Sequence, residues 1–187
     1  MVMPASRKRW TASEIHRLSS HRERNEVIGG ERFVTPPPSF THQRAVVSLT
    51  AILAAYCESN GVELLVSPAE VRFNDDDRVE PDLFVLPLTQ SGKRAGTFAD
   101  VGRLLLVVEV LSPGTARMDR GRKRELYQAQ RVPEYWIVDP ERRAFERWRD
   151  DGNAPEILTD SVRWKPSDVA EELRIDLVAF FSGVCDG

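Results

Sequence analysis

Residues 103–112 read RLLLVVEVLS and are apolar almost throughout. A strand with no polar alternation has no face to give to water, so other layers must cover it on both sides. That requirement points to an α/β or α+β domain: a mixed central sheet with helices on both faces. A chain of 187 residues is long enough to build one, since it can bury roughly 70% of the surface its unfolded form exposes. Hydrophobic residues make up 41% and charged residues 29%, which excludes wholesale disorder. The apolar run 104–108 is far too short to cross a bilayer.

The remaining elements follow from periodicity and breakers. Residues 11–21 read as a short helix capped by Thr11 or Ser13. Gly29-Gly30 marks a hairpin turn within 26–35, and Pro36-Pro37-Pro38 ends that unit. Ser39 or Thr41 opens a long helix to about Asn60, with Val46, Leu49, Leu53 and Tyr56 on one face and Gly61 as its stop. Strands are expected at 62–67, 69–74 and 79–87, then at 103–112. Residues 114–131 read as a helix, followed by a strand at 133–138 and its hairpin partner at 144–149. The segment 168–181 closes the chain with an apolar patch at Leu173, Leu177, Phe180 and Phe181. Residues 1–10 are expected to be a flexible arm and 11–187 a single domain.

Twenty-six basic against 29 acidic residues give a net charge of −3, which excludes a uniformly basic nucleic-acid coat but not a local patch. Cys57 and Cys185 form neither a zinc pattern nor a disulfide framework. Two reduced thiols and a basic start without an apolar stretch fit a cytoplasmic protein.

The chemistry concentrates around Glu109. A lone carboxylate inside an apolar strand is costly unless it meets a cation, a metal or hydrogen-bond donors. The bland alternatives are that Glu109 lies at an exposed strand end or pairs with a core arginine. Asp82, in Glu80-Pro81-Asp82, enters an apolar strand of its own. Neighbouring strands lie about 4.8 Å apart, so Asp82 and Glu109 could share one divalent cation. Oxygen ligands without His or Cys favour Mg²⁺ or Mn²⁺. On the helix that follows, Asp119, Lys123 and Tyr127 form one stripe. Between 116 and 131, six basic residues face two acidic ones, a local charge of +4. Taken alone, that stripe reads as a solvated face with a weak Asp119–Lys123 pair. His42 reads as a helix-capping or surface group, and Trp136 and Trp148 as packing residues.

The strings NEVIGGE (25–31), 36–42, Glu80-Pro81-Asp82, VEVLSP (108–113), 119–127 and VPEYWIVDP (132–140) are collinear and span about 11–181. In combination they resemble the Uma-type restriction endonuclease family, a branch of the PD-(D/E)XK nuclease superfamily. The resemblance implies a restriction-endonuclease-like α/β domain that hydrolyses DNA phosphodiesters with Mg²⁺ or Mn²⁺. It makes Asp82 and Glu109 metal ligands, with the Val110 carbonyl as a further one, and Glu26 an early acid that approaches the same site. The superfamily places a lysine two positions after the second acid. That position here is Leu111, and Lys123 on the next helix stands as the displaced lysine. A homodimer is implied by analogy, because cutting two strands needs two sites. Two other readings compete: a non-cleaving nucleic-acid-binding or accessory protein on the same fold, and a metal-dependent hydrolase of another phosphate ester.

Overall fold

The computed structural model describes residues 8–18, 24–167 and 169–186. Most of the expected arm, 1–7, and the end of the expected first helix, 19–21, lie outside these residues. The elements in chain order are α1 (Ala12–Leu18), β1 (Arg24–Ile28), β2 (Glu31–Thr35), α2 (Phe40–Asn60), β3 (Val62–Val66), β4 (Val71–Arg72), β5 (Arg78–Val79), β6 (Leu83–Pro87) and β7 (Leu106–Val110). Then come α3 (Ala116–Met118), a π-turn over Asp119–Lys123, α4 (Arg124–Ala129), β8 (Glu134–Asp139), β9 (Ala144–Arg149), β10 (Glu156–Leu158), β11 (Ser161–Trp164), β12 (Leu173–Asp176) and α5 (Leu177–Cys185).

The main sheet is six-stranded, in the order β10-β9-β8-β7-β6-β3. It is mixed, because β7 and β8 run parallel while its other pairs are antiparallel. The apolar β7 is central and every residue in it is buried. One face packs Val108, Val110, Trp136 and Phe145 against Leu49 and Leu53 of α2 and Phe180 and Phe181 of α5. The other packs Phe84, Val107 and Ile137 against Leu126 and Tyr127 of α4 and Val71 and Val79 of a second sheet, β2-β1-β5-β4. Each fully buried leucine or phenylalanine contributes about 1.5–3 kcal/mol relative to exposure.

Local rules explain the elements beside the site. Gly29 and Gly30 have φ of 60° and 78°, the left-handed pair that a two-residue hairpin turn requires. Helix α2 begins where Ser39 Oγ accepts the His42 N–H at 3.2 Å, and it ends where Gly61 turns left-handed at φ 67°.

The structure corrects the sequence reading in several places. The strand expected over 79–87 is two strands in two different sheets, β5 and β6. Pro81 has no N–H to give a ladder, so pairing breaks there and the chain crosses between sheets at 80–82. Only Val71–Arg72 of 69–74 pairs as a strand. The helix expected over 114–131 starts at Ala116 and contains a π-turn. The C-terminal segment is a strand, β12, leading into α5, and β12 pairs with β11, an element the sequence reading did not contain.

Candidate active site

The crossing at 80–82 builds the site. Because Leu83 pairs with Val108 and Phe84 with Val107 in antiparallel register, Asp82 lies across from Glu109, both on the face turned toward α4. The side chains of Glu26, Asp82, Glu109, Asp119 and Lys123 are at most 4% exposed. Lys123 Nζ lies 2.8 Å from Glu109 Oε1 and 3.0 Å from Glu26 Oε1, with Asp119 Oδ1 at 3.8 Å. The Tyr127 hydroxyl donates to Glu109 Oε1 at 3.0 Å. The 119/123/127 stripe therefore faces the core rather than solvent, which corrects the solvated-face reading. Glu26 Oε1 accepts the Glu80 N–H at 2.9 Å, so the break in the strand is satisfied by a site residue.

Asp82 is held from three sides. Its Oδ2 accepts the Val110 N–H at 2.8 Å and lies 3.1 Å from His42 Nε2. Its Oδ1 accepts from Arg24 Nη1 at 2.7 Å. Arg24 Nη2 also donates to Glu109 Oε2 at 3.2 Å and to the Glu80 carbonyl. These groups line a groove of about 750 Å³ that also takes in Pro36–Pro38, Ser112 and Thr115.

The electrostatics follow from burial set against these partners. Burial raises Asp82, but the His42 hydrogen bond and the Arg24 charge outweigh it and hold this carboxyl well below its ordinary range. Burial dominates at Glu109 and raises it, against the pull of Lys123 and Arg24. Asp119 is likewise raised by burial. Burial disfavours the Lys123 ammonium, yet Glu109 and Glu26 more than compensate and keep it charged. Two adjacent carboxyls thus have opposite tendencies, set by which partners each one meets.

The sequence matches the Uma2 family, described as "Putative restriction endonuclease", over residues 12–178. The chain belongs to the Uma2 family. No curated protein matches it. Among solved structures it is similar to a crystal structure titled a putative nuclease belonging to DUF820 from Anabaena variabilis. The two share 19% identity at a TM-score of 0.77, over 93% of this chain and 98% of that one. At that identity the likeness shows the fold, which is the restriction-endonuclease-like mixed α/β architecture.

Within this Uma2 chain the structure brings Glu26, Asp82, Glu109 and Lys123 into one cluster, with the Lys123 ammonium joining Glu26 to Glu109. Val110 joins it through its N–H. The sequence reading missed two members. His42 is buried on Asp82 rather than on the surface, and Arg24 bridges Asp82 and Glu109. A core arginine on Glu109 was among the bland alternatives, but nothing local singled out Arg24. Among the described residues no three His, Cys, Asp or Glu side chains converge as a ready metal cage. The two cations stand between the acids. No helix among these residues is long and apolar enough to cross a membrane.

Proposed function

We propose that this protein is a divalent-metal-dependent nuclease that hydrolyses phosphodiester bonds in DNA. The observation that carries the reading is the convergence of Asp82 Oδ1 and Glu109 Oε2 on one cationic group, the Arg24 guanidinium, with Lys123 behind Glu109 at 2.8 Å. Two carboxylate oxygens that already share one cation fit a hard divalent ion such as Mg²⁺ or Mn²⁺. Glu26 adds a buried Oε2 with no hydrogen-bond partner among the described residues.

Asp82, Glu109 and the Val110 carbonyl would hold the ion. When bound, it supplies a water of lowered pKa and a polarised phosphate. The chain's own groups do the rest. Lys123 neutralises charge developing on the phosphate or orients the attacking water. Tyr127 and Lys123 fix one oxygen of Glu109, and the other accepts from Arg24. Val110 and His42 hold Oδ2 of Asp82 in the same way, with Oδ1 on Arg24. The basic segment 117–131 attracts the nucleic-acid backbone.

Supercoiled plasmid with Mg²⁺ or Mn²⁺ tests the reading. Wild type is expected to nick it, EDTA to stop the nicking, and Glu109→Ala and Lys123→Ala each to abolish it. Loss with Glu109→Ala alone would remove Lys123 from the mechanism. A folded wild type that cleaves nothing would leave the non-cleaving nucleic-acid-binding reading, and activity confined to small phosphodiesters would favour the third.

A further inference from the structure

Each site carboxylate has one oxygen committed within the protein. Asp82 Oδ2 takes the Val110 N–H and faces His42, and Glu109 Oε1 takes Lys123 and Tyr127. The other two, Asp82 Oδ1 and Glu109 Oε2, both go to Arg24, at 2.7 and 3.2 Å. Arg24, Asp82 and Glu109 all line the groove. Arg24 sits at the first residue of β1 and its side chain is 18% exposed, whereas Lys123, held by Glu26, Glu109 and Asp119, is 2% exposed. Lys123 is the more deeply buried of the two cations, and Arg24, which also contacts the Glu80 carbonyl and Glu26, is the more exposed and lines the groove.

We propose that Arg24 is an exchangeable cation: it neutralises Asp82 and Glu109 in the metal-free chain and leaves those two oxygens when a divalent ion binds. The inference rests on the nuclease reading given above and assigns Arg24 a positioning role. A hard ion and a guanidinium compete for the same pair of oxygens, and their like charges repel at such close range. The exchange keeps a cation on the Asp82 and Glu109 oxygens in both states. A buried acid pair without either cation would have to take up a proton. The exchange also gives Arg24 a second position. Once released, a side chain at the mouth of the groove stays beside the bound phosphate, where a planar fork of N–H donors suits phosphate oxygens.

Calorimetric titration of Mn²⁺ into the full chain tests this without relying on activity. Arg24→Met keeps an unbranched, largely apolar stem and removes the competing charge. It is expected to tighten Mn²⁺ binding by about tenfold or more, the factor set by losing competing charge-assisted hydrogen bonds. Arg24→Lys offers one ammonium in place of a fork and is expected to fall between Arg24→Met and wild type. Asp82→Asn is expected to abolish binding in either background, which places the measured ion at this site. A merely structural role for Arg24 would weaken binding on substitution. Equal or weaker Mn²⁺ affinity in both Arg24 variants, with wild type binding the ion, overturns the exchange and leaves the nuclease reading standing. No binding by wild type or by either variant overturns both.

Discussion

Replacing Lys123 by methionine isolates the charge at the centre of the site. Methionine nearly matches the volume of the lysine stem, so little packing is lost at a residue that is 1% exposed. What disappears is an ammonium 2.8 Å from Glu109 and 3.0 Å from Glu26. At an effective dielectric of about 20, each contact is a gross attraction of about 5–6 kcal/mol. Desolvation of the ammonium offsets much of that, and the net cost of orphaning buried charges is about 3–5 kcal/mol. For a chain of this size that corresponds to a fall in melting temperature of about 10 °C. The penalty also has a pH signature. Glu109 is already raised by burial, and without Lys123 it is raised further. A carboxyl whose folded pKa exceeds its unfolded value binds protons preferentially in the folded state, so the variant gains stability as pH falls. Denaturant unfolding of wild type and Lys123→Met at about pH 8 and about pH 5 is the assay. The deficit is expected to be largest at the higher pH. A deficit below about 1 kcal/mol at pH 8, or one that does not change with pH, would refute the buried ion-pair argument.

Three more outcomes follow from the same contacts. Tyr127→Phe removes one donor from Glu109 and is expected to cost about 1.5–3 kcal/mol in denaturant melts, with nicking reduced rather than abolished. His42→Phe takes a partner from Asp82, whose folded pKa is depressed. Such a group contributes stability that is present above its unfolded pKa and lost as pH falls through the folded value, so the acid-unfolding midpoint of the variant, followed by circular dichroism, is expected at a less acidic pH. EDTA is expected to stop nicking while leaving the melting temperature of the metal-free chain unchanged, because Arg24 and Lys123 already neutralise the acids. Differential scanning fluorimetry checks this.

The fold was legible where a local pattern is strong. The apolar run of β7, the Gly29-Gly30 turn, the Ser39 cap with its Gly61 stop, and the hairpin of β8 and β9 all stand where periodicity and breakers put them. Pro81 carried the signal for the break between β5 and β6, since a proline inside a strand pattern argues against continuous pairing. The short β10 and β11 carry little pattern of their own and are defined by their partners. The site divides along the same line. Glu109 stood out because a carboxylate in an apolar strand demands a partner, whereas the stripe of Asp119, Lys123 and Tyr127 alone read as a solvated face and Lys123 stood out through the family resemblance. Arg24 and His42 carry no local signature. Their contacts with Asp82 span 58 and 40 positions, and only the crossing of the chain at 80–82 brings them there.

The central claim is that Asp82 and Glu109 present a divalent-ion site on a nuclease fold. Anomalous diffraction from crystals of the full chain soaked in Mn²⁺, at a concentration that supports plasmid nicking, tests it most directly. One strong peak is expected against these two carboxylates, absent from Asp82→Asn crystals. A peak elsewhere, or none beside Asp82 and Glu109, would contradict it.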